Sequence, residues 1–279
     1  MNRLSIGVLY IGSAIICSPL NLRILYVLCT NQHLRKLECY RIMARMQLFT
    51  CIALPFYIAY GITVITKSPL YGVTVAFCNL DDAAYNAIVG MDLILSLNRL
   101  NVIFDLKIPT KALQWIVLVH VTIYFAVIMS PLAGNYFRED HIFIKPDYSL
   151  PLTGHVVLVA SFYCAACSLL TMCVYAIIVA FLIHKKCRSS LTRSAISEKP
   201  ILIQAITRFL GDATVQILFQ VSLSLDSVND TSFMFESATY CALLFNYLCF
   251  APLTCILINR TLKAAVFKYS TVSRTVCVG

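Results

Sequence analysis

The chain contains 279 residues, of which 59% are hydrophobic and only 13% carry a charged side chain. Soluble domains have about 45–50% apolar and about 25% charged residues, so this composition excludes an ordinary soluble domain and predicts a protein that crosses a membrane several times. The formal net charge of +9 fits the cytoplasmic surface of such a protein, and it gives no indication of nucleic-acid binding.

Seven apolar stretches follow one another along the chain, and each is long enough to cross a hydrocarbon layer of about 30 Å as a helix. They are Leu4–Cys29, Cys39–Thr66, Val73–Ile103, Ala112–Pro131, Gly154–Ile183, Pro200–Leu225 and Glu236–Asn259. The short connectors leave no room for a soluble domain between them. We therefore expect an all-α membrane protein in which residues 1–279 form a single domain, a bundle of seven transmembrane helices.

The distribution of Lys and Arg predicts the orientation of this bundle. With the N-terminus outside, 15 of these residues fall in the cytoplasmic segments 30–41, 99–111, 184–199 and 260–279, against 4 on the outer side. The positive-inside rule favours that arrangement, in which the first stretch acts as a signal anchor. Of two glycosylation sequons, Asn229 would then lie outside and Asn259 inside. After the seventh stretch, apolar and basic residues alternate over 260–268, the pattern of an amphipathic helix on the membrane surface.

The third stretch is unusual because it carries the charged residues Asp81, Asp82, Asp92 and Arg99. From Asp81 to Arg99 is five helical turns, and from Asp92 to Arg99 is about two, so these three side chains share one face. Each would cost about 2–3 kcal/mol or more against lipid, and we expect that face to look into the bundle. A second stripe, at four-residue intervals in the sixth stretch, comprises Arg208, Asp212, Gln216 and Gln220.

The 13 cysteines do not predict a disulfide framework, because most lie within apolar stretches or on the cytoplasmic side, where thiols stay reduced. Cys164 and Cys167 form a C-x-x-C inside the fifth stretch, where two cysteines are more often packing residues than metal ligands. The sequence contains no metalloprotease, nucleotide-binding or nucleophile motif. We therefore expect no metal, no cofactor and no enzyme activity.

Several short motifs resemble those of known receptors. Asn98-Arg99 closes the third stretch, Pro252 lies in the seventh, and the amphipathic segment follows, a combination that resembles the rhodopsin-like G-protein-coupled receptors. Three local runs and one dipeptide resemble the nematode serpentine chemoreceptors, most closely the Srt class and next the related Srx class. They are LRKLECYRIM at 34–43, SLNR at 96–99, LINRTL at 257–262 and Ile203-Gln204.

The chain departs from the superfamily pattern at several positions. The usual Asp-Arg-Tyr is Asn98-Arg99-Leu100, and the usual Asn-Pro-x-x-Tyr has lost its Asn and its Tyr around Pro252. Gln47 stands where the superfamily carries an Asp in the second span, which puts an internal sodium site in doubt. These departures bear on the mechanism more than on the class.

The resemblance implies a small-molecule ligand bound in the outer half of the bundle and a heterotrimeric G protein bound at the cytoplasmic face. It also implies a location in the plasma membrane, in the cilium of a sensory neuron. The expected ligand-pocket residues are Asp81, Asp82, Tyr85, Asp212 and Gln216. The residues expected to act in activation and G-protein coupling are Asn98, Arg99, Glu198, Pro252, Asn259 and Arg260.

The sequence leaves alternatives open. A small transporter or channel would also need bundle-facing Asp92, Asp212 and Arg208, although no internal repeat is visible. An intramembrane aspartyl protease would need two neighbouring carboxylates, for which Asp92 and Asp212 are the candidates. Asp81 itself has two interpretations: internal hydrogen bonds or water satisfy it, which is the favoured one, or it pairs with a ligand ammonium, with Asp82 as the solvated neighbour.

Overall fold

A computed structural model describes residues 3–68, 70–137, 144–188 and 241–272, and also 203, 206–207, 209–215, 217–218, 221 and 238–239. Helices occupy most of these residues: α1 (Arg3–Thr30), α2 (Gln32–Lys36), α3 (Glu38–Thr66), α4 (Val73–Phe104), α5 (Thr110–Ile128), α6 (Thr153–Arg188), α7 (Cys241–Ile258) and α8 (Arg260–Val272). A 3-10 turn, Leu70–Gly72, precedes α4. Two strands, β1 (Asn135–Phe137) and β2 (Ile144–Pro146), pair in an antiparallel hairpin.

Within the described ranges, six helices are long and apolar enough to cross a membrane, namely α1, α3, α4, α5, α6 and α7. They lie where six of the apolar stretches predict helices, and α4, for example, ends at Phe104 against a predicted end at 103. The other predicted span, 200–225, is described only in part, and its described residues between 203 and 221 are helical. α8 begins at Arg260, as the amphipathic pattern predicts.

Helix α4 lies at the centre of the bundle, where it contacts α3, α5 and α6, while α1 packs against the other side of α3. α1 and α3 approach each other closely because both carry a glycine at their crossing. A Cβ on Gly7 would lie 2.7 Å from the carbonyl oxygen of Gly61. Small residues at such crossings allow close packing of membrane helices. Beside this crossing, the rings of Tyr10 and Tyr60 pack with centroids 4.9 Å apart.

Helix α7 contains a π-helical turn, Phe245–Phe250, directly before Pro252. Proline has no N–H to donate to the carbonyl four residues earlier, which here belongs to Leu248. The side-chain amide of Asn21, on α1, donates to that carbonyl at 3.1 Å. Asn21 also accepts a hydrogen bond of 2.6 Å from Gln47 on α3. The irregular turn of α7 is therefore stabilised by a polar connection to α1 and α3.

Helix α8 is fixed to the bundle by side chains from three other segments. Asn259 precedes it and accepts a hydrogen bond from the backbone N–H of Leu262 at 3.0 Å, which caps its first turn. The Tyr40 hydroxyl donates to the same Asn259 side chain at 3.3 Å. Arg23 of α1 donates to the Val266 carbonyl at 3.3 Å. The bundle thus has two distinct ends, the hairpin end and the α8 end.

Candidate functional site

A cavity of about 170 Å³ lies at the hairpin end of the bundle, between α3, α4, α5, α6, α7 and the hairpin. Its polar groups belong to Thr50, Tyr57, Asp81, Asp82, Tyr85, Asn86, Tyr124, Asn135, Ser161, Cys164 and Tyr247. Helix α4 contributes two adjoining faces, because Asp81 and Tyr85 are one turn apart and so are Asp82 and Asn86. The structure therefore brings together three of the predicted pocket residues, Asp81, Asp82 and Tyr85.

Asp82 connects the cavity floor on α4 to the hairpin. Its carboxylate accepts a hydrogen bond of 3.0 Å from the side-chain amide of Asn135, on β1. The same amide donates to Asn79 at 2.9 Å, one turn away on α4. The expectation that Asp82 is the solvated member of the pair is therefore wrong, because Asp82 is half-buried and carries a protein partner.

Asp81 lies beside Tyr57 of α3, and the two side chains form a hydrogen bond. The predicted orientation of Asp81 towards the bundle interior agrees with its place in the cavity wall. Across the cavity, the rings of Tyr85 and Tyr247 meet edge to face, with centroids 5.7 Å apart. Aromatic rings in this geometry present their electron-rich faces and their edges at defined positions. Because Tyr247 belongs to the π-helical turn of α7, that turn forms part of the cavity wall.

The opposite wall is formed by α6 and is nearly free of charge-bearing groups. It consists of Val157, Ala160, Ser161 and Cys164. The Cys164 thiol donates to the side-chain oxygen of Asn86 at 3.4 Å, so it is engaged in packing between α4 and α6. No group of three or more His, Cys, Asp or Glu side chains in the described part of the chain could hold a metal ion.

Asp212 is not among the residues that line the cavity, although it is a predicted pocket residue. Its carboxylate accepts a hydrogen bond of 2.6 Å from the side-chain amide of Asn246, in the π-helical turn of α7. Gly211 permits this approach, because a Cβ at that position would collide with the side-chain oxygen of Asn246. Gln216 and Arg208, predicted on the same stripe, lie outside the described residues.

Arg99 lies near the other end of α4, and only 4% of its surface is exposed. Asn98 beside it is 5% exposed. An arginine that anchored a helix end to phosphate headgroups would expose its guanidinium, so that interpretation of Arg99 does not hold. Tyr40 is also buried, and its hydroxyl contacts Asn259. Pro252 is buried in α7.

Two predicted residues of this end are not described in full. Glu198 and the side chain of Arg260, both expected to act in activation and coupling, lie outside the described residues, although Arg260 begins α8. The glycosylation candidate Asn229 also lies outside them.

Sequence reasoning missed several residues of the cavity. Tyr57, Tyr124 and Tyr247 were indistinguishable from ordinary core aromatics, since tyrosines at helical spacing are common in apolar spans. Asn135 carried one usable signal, because it is an amide in the longest connector between the apolar stretches, and long connectors are often functional. The hairpin places that amide over the cavity.

Comparison with solved structures shows what the chain is similar to in fold. No family model matches the chain, and no curated protein matches it. The crystal structure of squid rhodopsin is similar to it, with a TM-score of 0.70 and 11% sequence identity, over 99% of this chain and 87% of that one. At this identity the likeness shows the fold alone. The predicted all-α membrane bundle is thereby confirmed, and the chain is a multi-pass membrane protein with a rhodopsin-like arrangement of helices.

Proposed function

We propose that this protein is a chemosensory receptor that binds a small environmental ligand at the hairpin end and activates a heterotrimeric G protein at the α8 end. The observation that carries the proposal is that one helix, α4, joins the two ends. Asp81 and Tyr85 of α4 line the cavity, and Arg99 of the same helix is buried near the other end. The 18 residues from Asp81 to Arg99 correspond to a rise of about 27 Å.

The ligand side of the mechanism follows from the walls of the cavity. A ligand there would contact α3, α4, α5, α6 and α7 at once, and it would favour whichever arrangement of these helices gives it more contacts. Tyr247 belongs to the π-helical turn of α7, whose neighbour Asn246 binds Asp212. Irregular turns of this kind are frequent at functional sites. Movement of this turn would therefore alter the hydrogen bond between Asn246 and Asp212, and with it the contact between α7 and the helix that carries Asp212.

The coupling side involves the buried residues near α8. Arg99 and Asn98 would become accessible to a G protein only when the bundle opens at this end, because both are now buried. Asn259 holds α8 and Tyr40 together, so a shift of α7 beyond Pro252 would move that contact. Glu198 and Arg260 complete the proposed coupling set. Ligand and G protein would then influence each other's affinity reciprocally, as linked sites must.

The finer identity of the receptor rests on its sequence motifs. The runs around Tyr40, Arg99 and Asn259 resemble the nematode Srt chemoreceptors, so we assign the ligand to the environment and the protein to the plasma membrane of a sensory cilium. Each of these three residues is buried, and Tyr40 contacts Asn259 directly before α8. The motifs that carry the resemblance thus coincide with the surface proposed for coupling.

Nucleotide exchange tests the proposed function. The purified chain is placed in lipid nanodiscs with a heterotrimeric G protein, and exchange on the α subunit is measured with compounds that elicit calcium responses in expressing cells. We expect exchange to accelerate with those compounds. Exchange that stays at the G protein's own rate for every active compound would contradict the coupling and would favour a channel instead.

Arg99→Ala is the variant that tests the coupling end. We expect it to lose at least nine-tenths of the ligand-stimulated exchange, because the buried guanidinium would no longer be available to the G protein. Arg3→Ala, at the far end of α1, is the matched control and should signal normally. Surface expression and the melting temperature are measured for both. Normal exchange in well-expressed Arg99→Ala would remove Arg99 from the mechanism.

A further inference from the structure

Two cysteine thiols meet between α1 and the π-helical turn of α7. The Sγ atoms of Cys17, on α1, and Cys249, in the turn, lie 2.8 Å apart, although the residues are separated by 232 positions in sequence. Both cysteines are free and half-buried. The sulfurs of a disulfide lie about 2.05 Å apart, so a small shift of one side chain or of the turn would bring these two atoms to bonding distance.

One buried amide fixes the backbone around both cysteines. The side chain of Asn21 donates to the Cys17 carbonyl at 3.0 Å and to the Leu248 carbonyl at 3.1 Å. Leu248 directly precedes Cys249, so a single amide joins the two segments that carry the thiols. Asn21 is fully buried and also contacts Gln47, which limits its movement. The contact between the thiols is therefore part of the packing of α1 against α7.

The turn that carries Cys249 takes part in two other contacts of the bundle. Tyr247 lines the cavity, and Asn246 donates to Asp212 at 2.6 Å. A covalent bond from Cys249 to α1 would hold the turn, and with it both of these contacts, in the arrangement that they have here. Redox-sensing cysteines are accessible and commonly have a second cysteine beside them that resolves the first oxidation product. This pair has both properties, since each thiol is only half-buried.

We propose that Cys17 and Cys249 form a redox switch, in which a hydroperoxide oxidises them to a disulfide that locks the π-helical turn of α7 against α1. Lipid hydroperoxides form within bilayers, so an oxidant of this class reaches an apolar span. One sulfur attacks the terminal oxygen of the hydroperoxide, the O–O bond breaks, and the alcohol leaves with the thiol proton while a sulfenic acid forms. The other sulfur displaces the sulfenic hydroxyl, which leaves with the second thiol proton as water. The thiols lose two electrons and two protons, and the peroxide is reduced to alcohol and water.

Disulfide mapping tests the bond itself. The purified chain, in nanodiscs of saturated lipid, is treated with tert-butyl hydroperoxide and mapped by proteolysis and mass spectrometry without reductant. We expect Cys17 and Cys249 to be joined in at least half of the chains, and dithiothreitol to separate them. Cys17→Ser and Cys249→Ser should each lack this bond. Cys29→Ser removes an exposed thiol of the same helix and should keep it.

Three results of the mapping would overturn the proposal. They are the absence of the bond in the folded wild type, predominant pairing of either residue with another cysteine, and a bond that forms equally well in chains unfolded in detergent.

Backbone hydrogen exchange tests the lock. Exchange reports local opening, and a turn held covalently against α1 opens less often. Amides of Phe245–Phe250 should exchange at least fivefold more slowly in the oxidised wild type than in the reduced chain. Treatment of Cys17→Ser with the same peroxide should leave these rates unchanged. Unchanged rates in fully cross-linked wild type would show that the disulfide does not lock the turn, and would overturn the switch.

The effect on signalling rests on the receptor function proposed above. Nucleotide exchange stimulated by an active compound should fall at least fivefold after oxidation of the wild type, and it should not fall in Cys17→Ser. Undiminished stimulation by fully cross-linked chains would overturn the switch and uphold the receptor. A chain that forms the bond and locks the turn, but stimulates no exchange even when reduced, would support the lock and count against the receptor function.

Discussion

At the scale of single residues, the position of Asn21 explains how α7 accommodates its proline. Pro252 leaves the Leu248 carbonyl without its helical donor, and Asn21 supplies one from another helix. Asn21 is fully buried, and its other contacts run to Cys17 and Gln47. An uncompensated carbonyl in the membrane interior is costly, so this amide is expected to contribute to the stability of the bundle.

Asn21→Ala is expected to destabilise the folded bundle by about 1–2 kcal/mol, because hydrogen bonds between membrane helices contribute up to about that amount. The measurement is thermal unfolding of the purified chain in nanodiscs. Thr30→Ala is the control, since its exposed hydroxyl bonds only to Tyr26 within α1. Equal melting temperatures for Asn21→Ala and the wild type would show that another group or water satisfies the Leu248 carbonyl.

The residue pattern predicted which way several polar side chains face, but it did not predict which residues they contact. Spacing along α4 correctly predicted that Asp81 and Arg99 face inwards. The helical period and the cost of a charge in lipid decide this orientation locally. The contacts of Asp82 with Asn135, and of Asp212 with Asn246, join residues far apart in sequence. Such pairings depend on how separate helices pack, and a single sequence does not encode them in any local signal.

At the scale of whole elements, the apolar stretches predicted helices at the places of the six long apolar helices that the structure describes, because length and hydropathy decide which helices fit a bilayer. They did not predict the hairpin or the π-helical turn Phe245–Phe250. The hairpin strands are only three residues each, too short for a period-2 pattern to stand out. The π-helical turn accepts a hydrogen bond from Asn21, which lies on another helix, so no local pattern around Pro252 includes this contact.

The crossing of α1 and α3 provides a matched pair of glycine substitutions on one helix. A Cβ on Gly7 would lie 2.5 Å from a side-chain carbon of Ile65 and 2.7 Å from the Gly61 oxygen, whereas one on Gly12 would meet nothing within 4 Å. Gly7→Ala should therefore destabilise the bundle by about 1–3 kcal/mol through overpacking. Gly12→Ala should be neutral or stabilise it by up to about 1 kcal/mol, since alanine is the better helix former.

Thermal unfolding of the two variants in nanodiscs decides between close packing and helix propensity. Opposite shifts of the melting temperature are the expected result. A rise in both would show that α1 and α3 can separate by a few tenths of an ångström without cost. In that case the glycines would not determine the crossing, and the rings of Tyr10 and Tyr60 would be the more important contact there.

At the scale of the whole molecule, orientation in the membrane decides which end meets the ligand. The hairpin and the cavity lie at one end, and α8 with the buried Arg99 region lies towards the other. The bias of Lys and Arg in the connectors predicts that the α8 end faces the cytoplasm. The proposed function requires the same assignment, because an environmental ligand comes from outside and a G protein from inside.

Topology is the prediction on which the other assignments depend, and two independent markers test it. A glycan should attach only at Asn229, so Asn229→Gln should abolish the mass shift removed by glycosidase, whereas Asn259→Gln should keep it. Asn259 is also 2% exposed and caps α8, which closes it to modification in the folded chain. Because sequons are often left unmodified, epitope tags at the two termini provide the second marker. Antibodies should reach the N-terminal tag on intact cells and the C-terminal tag only after permeabilisation, and the reverse pattern would invert the bundle and place the cavity on the cytoplasmic side.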